Sequence, residues 1–412
     1  MTDNDNGSRT KRLKRHFGGA VSGDQFWPRP EIVDNLVNTI KDGESVSLFG
    51  LRRIGKSSAM AEAARIISQG KDANKYTIVE IDAQDYNALD KLLTEILVAV
   101  PSDSNLFTSL KKRLIGNRMF PEAVKKGLEL ILNMGGSDAD FSKSLPNYWG
   151  PVCAEIIKAI EESGTQLILM IDEFPYMCKN LLAKEGGRDF VDNLLATFRN
   201  WRQGPVTMVM SGSIGMQFLI REHQLEFLHF NDCFAVDIPP LASRAEAKAM
   251  LDALVQSTEV DNWLEETSET LLDEVTVYYP SFLQHAFSRL KAANVRSRPQ
   301  IEEHFAEHIR PAWDSTFFDQ FDIRLKVYDE VLRDLSRAVF AQMADDKHVL
   351  RDDLAAAITT TQQEQLTEAL KILKEDGFLS RRAARDGSES WRFCSPLVET
   401  WWQQRQSKKV KK

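Results

Sequence analysis

Residues 47–58 read SLFGLRRIGKSS, a glycine, four residues, then Gly-Lys-Ser. Gly50 and Gly55 let the backbone wrap so that the N–H groups along Leu51, Arg52, Arg53 and Ile54 can face phosphate oxygens, and a helix starting here adds its partial positive charge. Lys56 then reaches the β and γ phosphates, Ser57 ligates Mg²⁺, and Ser58 continues the turn. The plainer alternative is a glycine turn followed by an exposed lysine. A second stretch weighs against it. Residues 166–173, QLILMIDE, form an apolar run that ends in two acids. Asp172 suits the metal beside Ser57, and Glu173 suits an attacking water that must be oriented or deprotonated. Two acids capping a core strand is again the plainer reading. The two motifs support each other and point to ATP with Mg²⁺.

These side chains need a strand, a loop and a helix to hold them. SVSLF precedes the loop as a β-prone run, and SSAMAEAARIISQG follows it with apolar residues at helical spacing up to Gly70. YTIVEID at 76–82 reads as a further strand, with Asp82 closing it near the site. PVTMVMSGS follows the arginine-rich helix RDFVDNLLATFRNWRQG as another, and FAVDIPPL contains a short last one before a Pro-Pro break. Apolar strands alternating with helices specify an α/β fold with a parallel sheet. The stretch at about 88–163 is longer than one crossover needs and reads as a helical insertion whose apolar stripes are core.

With 412 residues, the chain is long enough for two or three domains. Its net charge of −8 argues against a surface coated for nucleic acid, although local basic patches remain open. Cys153, Cys178, Cys233 and Cys394 form no CxxC pair, which fits reduced thiols in a cytoplasm. No apolar run is long enough to span a membrane, so a soluble cytoplasmic protein is expected, with no membrane partner. A GTPase would carry Asn-Lys-x-Asp, and the nearest match, NKYT at 74–77, ends in Thr77 instead. A GGS segment at 135–137 lacks the rest of an ABC signature.

The chain resembles prokaryotic AAA+/STAND-type P-loop ATPases of the group often called archaeal ATPases, relatives of origin-recognition-like proteins. The resemblance rests on GLRRIGKSS, LILMIDEF (which looks like a Walker B motif), MVMSGS, DIPPL and YYPSFLQHAFSRL at 278–290. It covers roughly residues 24–405. Where that family has Gly-His-Pro, this chain keeps Pro280, with Phe282 and Gln284, and lacks the His. Its Gly-Arg-Glu box appears as FWPRPEIVDNL, with Arg29 and Glu31 separated by Pro30, and it places an adenine pocket near Phe26 to Arg29. The resemblance implies a sensor at Ser211 or Ser213, against a plain turn at SGSIG, and an arginine finger at Arg221, against a solvated helix arginine. It also implies an α/β P-loop NTPase sheet with a helical lid. The expected organisation is a basic disordered arm (1–23), a P-loop ATPase core (24–240), a helical lid (241–325) in which His285, His304 and His308 are surface or packing residues, and a winged-helix domain with a basic tail (326–412).

The winged helix is read from helical patterns at 327–343, 350–358 and TQQEQLTEALKILKEDGF, followed by two strand-like runs around a polar turn. Its third helix carries Glu364, Glu368, Lys371, Lys374, Glu375 and Asp376, a poor match for phosphate. DNA contact would therefore fall to Arg381, Arg382, Arg385, Arg392 and the basic termini, KRLKR and KKVKK. A winged helix used for protein contacts is the competing expectation. The functional expectation is an ATP-binding and slowly hydrolysing switch, cycling between ATP and ADP, that controls self-association or engagement of a partner protein or DNA. The alternative is a DNA-tethered adaptor with a structural nucleotide.

Overall fold

The computed structural model describes Leu13, His16 and residues 19–134, 145–213, 216–258, 260, 262–343, 348–383 and 388–410. They fall into two units. One holds residues 30–50 and 56–238, and the other gathers the described residues before Pro30, the five residues Leu51–Gly55, and those from Pro239 onward.

The first unit is built around central strands too apolar to face water on either side. It runs α1 (Pro30–Lys41), β1 (Ser45–Phe49), α2 (Lys56–Ser68), β2 (Tyr76–Asp82), α3 (Leu89–Val98), α4 (Asn105–Leu110), α5 (Glu122–Met134), α6 (Trp149–Ser163), β3 (Gln166–Asp172), α7 (Phe174–Leu182), α8 (Gly187–Arg202), β4 (Val206–Gly212), α9 (Met216–Glu222) and β5 (Cys233–Ala235). All seven residues of β4 and the five interior residues of β3 are buried, as in a sheet covered on both faces. The sheet is parallel, in the order β2-β3-β4-β1-β5. Helices α3–α6 bury Leu92, Ile96, Leu110, Leu128 and Ile156 in one apolar cluster with β2 and β3. Each such side chain contributes about 1.5–3 kcal/mol on leaving water.

The second unit continues with α10 (Arg244–Ser257), α11 (Glu265–Glu274), α12 (Pro280–Ala293), α13 (Arg298–His304), α14 (Arg310–Trp313) and α15 (Asp319–Val327), with π-helical turns at Phe305–Ile309 and Asp314–Phe318. Then come α16 (Glu330–Gln342), β6 (Val349–Leu350), α17 (Arg351–Ala356), α18 (Thr360–Glu375), β7 (Leu379–Ala383), β8 (Glu389–Phe393) and α19 (Pro396–Val410). The three strands form an antiparallel sheet in the order β6-β8-β7. Strand β6 adds to the two strands read from sequence. Phe340 packs against Phe378, Phe393, Trp401 and Trp402 in this domain's core. Among the helices that follow Pro239, buried His285 accepts a bond from the Trp313 indole N–H at 3.2 Å, a packing role, and the His304 and His308 rings lie 4.7 Å apart.

The N-terminal arm departs from the expectation at its described residues. Leu13 is fully buried and its N–H donates to Ser257 Oγ at 2.7 Å, while the His16 N–H donates to Gln284 Oε1 at 2.9 Å. One apolar side chain and two backbone N–H groups, all at Leu13 and His16, are thus engaged where the composition reads as a loose basic tail. The remaining KRLKR residues, Arg385 and the 135–144 turn lie outside the described residues.

Candidate functional site

Parallel strands end on the same edge, and that edge collects the polar residues at the heads of β1, β3 and β4. Phe49 pairs with Gly212, and the Gly50 N–H donates to the Gly212 carbonyl at 3.1 Å, so the glycine loop leaves β1 beside the end of β4. Helix α2 opens at Lys56, which is only 6% exposed, and its Nζ donates to the Gly50 carbonyl at 3.3 Å. Ser57 and Ser58 occupy the same first turn.

At the loop tip Gly55 has φ +103°, a conformation natural to glycine, and Arg53 adopts φ +63°. Side chains of the second unit hold this tip by its backbone. The Arg52 N–H donates to Gln320 Oε1 at 2.9 Å, Ser281 Oγ donates to the Arg53 carbonyl at 2.6 Å, and Arg29 Nη1 donates to the Ile54 carbonyl at 3.3 Å. Burial lowers the Arg29 pKa, and its Nη2 is buried with no hydrogen-bond partner. Arg29 was legible as a motif residue, but its grip on the loop was not. Ser281 lies inside the YYPSF motif, where a hydroxyl two residues after Tyr279 was the available signal. Gln320 carried no signal.

The acids sit on β3 and on the residue after it. Ser211 Oγ, fully buried on β4, donates to Asp172 Oδ1, which also accepts the Glu173 N–H at 2.9 Å. Glu173 takes φ +52°, a strained left-handed conformation for a residue with a side chain, costing on the order of 1 kcal/mol. Its Oε2 accepts both the N–H and Oγ of Ser213, at 3.1 and 3.0 Å. The two serines between which the sequence left the sensor position open thus divide the work, one on each acid. Arg221 lies half-buried in the last turn of α9, whereas the described bonds around the acids come from β4. Asp82 pairs in register with Asp172 at the sheet's margin and accepts the Gln84 N–H at 3.1 Å.

A nucleoside triphosphate with Mg²⁺ fits the chemistry of these residues. The loop and the first turn of α2 offer backbone donors and a buried ammonium to an anion, while the strand ends offer a hydroxyl and carboxylates to a hard cation. When bound, Mg²⁺ neutralises developing phosphate charge. Residues 50–58 are those that would cradle the phosphates, and Ser57 and Asp172 those that would hold the cation.

Fold and site together are those of an α/β protein whose five-stranded parallel sheet carries a glycine loop and two acids on one edge. The chain is similar to the Walker-type ATPase PABY2304 of Pyrococcus abyssi, with a TM-score of 0.55 at 16% identity over 94% of this chain and 99% of that one, a likeness of fold. The Aeropyrum pernix ORC2 protein in its ADP form lies farther off, with a TM-score of 0.45 at 13% identity over 96% and 98%. No family model and no curated protein matches the sequence. Among the described residues, no helix is long and apolar enough to cross a membrane.

Proposed function

We propose that this chain is a nucleotide switch: it binds ATP with Mg²⁺ at residues 50–58 and Asp172, hydrolyses it slowly through Glu173, and changes its engagement of a second copy, a partner protein or DNA with the γ-phosphate. The observation that carries this reading is the clamp on the two acids, in which Ser211 on β4 holds Asp172 and Ser213, the residue after β4, holds Glu173, at the edge where the glycine loop leaves β1. The fold likeness to a Walker-type ATPase supports it.

Slow turnover follows from the same clamp. A carboxylate oxygen that already accepts two bonds gives up about 1.5 kcal/mol per bond if it turns to a water, about 3 kcal/mol in all and a retardation on the order of 100-fold. The adaptor reading, with a structural nucleotide, is the limit in which the clamp never opens. Titrating ATP into wild type and Lys56→Ala while following turnover tests the proposal. Binding by wild type that Lys56→Ala abolishes is expected, and no ATP binding by wild type contradicts it. DNA binding that is salt-dependent but indifferent to nucleotide favours the adaptor.

In the switch reading, Arg221 serves the γ-phosphate held by a neighbouring copy, so hydrolysis depends on protein concentration.

A further inference from the structure

Helix α15 is nine residues long, about 13 Å, and makes side-chain bonds all along its length. At its start, Gln320 Nε2 donates to the Phe317 carbonyl at 2.6 Å, which fixes the amide and leaves Oε1 to accept the Arg52 N–H at 2.9 Å. Two residues on, Asp322 accepts Arg405 Nε of α19 at 3.1 Å, and Arg405 Nη1 reaches Asp314 at 2.9 Å. These carboxylates raise the Arg405 pKa. Farther along, Arg324 donates to the carbonyl of Asp376, the residue that caps α18, at 2.8 Å, and the Tyr328 hydroxyl donates to the Asp376 carboxylate. The α15 segment therefore bonds the phosphate loop at one end and two winged-helix elements at the other. The π-helical turn just before it is the kind of irregularity found at functional joints.

We propose that Gln320 is a positioning residue of the phosphate loop and that α15 carries the loop's state to α18 and α19. The inference rests on the ATP reading above. A loop that binds phosphate turns its N–H groups toward the anion, and the Arg52 N–H is held by Gln320, so phosphate and Gln320 act on the same backbone. Three of the four ties are charge-assisted or made to the buried Asp376, and the neutral amide bond to the loop is the weakest. As the weakest of the four, it sets the size of the coupling, about fivefold.

Hydrogen exchange on the full chain, with and without a non-hydrolysable ATP analogue, tests this. In wild type the analogue alters exchange at least threefold across residues 319–328 and 396–405. Gln320→Met, which keeps the shape but not the acceptor, binds the analogue about fivefold more weakly and at saturation no longer alters 396–405. Arg405→Met, remote from the loop, binds as wild type does and keeps the response at 319–328 but loses it at 396–405. A full wild-type response at 396–405 in Gln320→Met, or analogue binding by wild type without any response there, overturns the inference while leaving ATP binding intact. Absence of binding by wild type overturns the ATP reading and the inference with it.

Discussion

The parallel sheet hides its serines and turns its acids to one edge, where each acid is bonded by the next strand. The three-stranded antiparallel sheet does the reverse: its arginines stand in water. Arg382 and Arg392 are exposed on β7 and β8, and Arg381 is already paired with Glu389 at 2.5 Å. A buried, interlocked set of polar groups has one geometry and suits chemistry, because reorganising it is costly. An exposed, loosely paired set contributes screened charge, which steers a partner without fixing a reaction. The proposed function places its chemistry at the first sheet and any DNA contact at the second.

The largest effect that would break this contrast is at Lys56. Lys56→Ala removes the buried cation, worth about 3 kcal/mol to bound phosphate, and should weaken ATP binding by about 100-fold or more in calorimetry. Glu173→Gln comes next. It should bind ATP as wild type does while turnover falls by about 100-fold, the usual contribution of a positioned base. Arg221→Ala should abolish the rise of specific activity with protein concentration. Equal activity at every concentration in both proteins would rule out a finger acting between copies.

Ser213→Ala should raise turnover up to about tenfold, because one bond restraining Glu173 is lost, and a fall would show the serine orienting the base instead. The smallest effects belong to the wing. Arg382→Ala and Arg392→Ala should each lower the salt slope of DNA binding by about one with little change in ATP turnover, and Arg381→Ala should do less because Glu389 already neutralises it.

The sequence made the first sheet legible because its signals are local: a glycine spacing, an apolar run ending in acids, a strand ending in serines. Strand β3 begins at Gln166 and ends at Asp172, as that run implies. What it could not show depends on contacts far apart in the chain. Gln320 meets Arg52 across 268 residues, and nothing about a glutamine in FFDQF marks it. Arg53 and Glu173 in left-handed conformations are equally silent, since neither residue type favours them. The arm teaches the same: its composition is that of a tail, and the burial of Leu13 and its bond to Ser257 depend on residues far along the chain.

The central claim, that residues 50–58 with Asp172 and Glu173 form a hydrolytic ATP site, is tested most directly by mixing labelled ATP and Mg²⁺ with wild type and with Glu173→Gln, then identifying the nucleotide retained on each. The account predicts one nucleotide per chain in both, converted to ADP in wild type and kept as ATP in the variant. No retained nucleotide, or equal conversion in the two proteins, would contradict it.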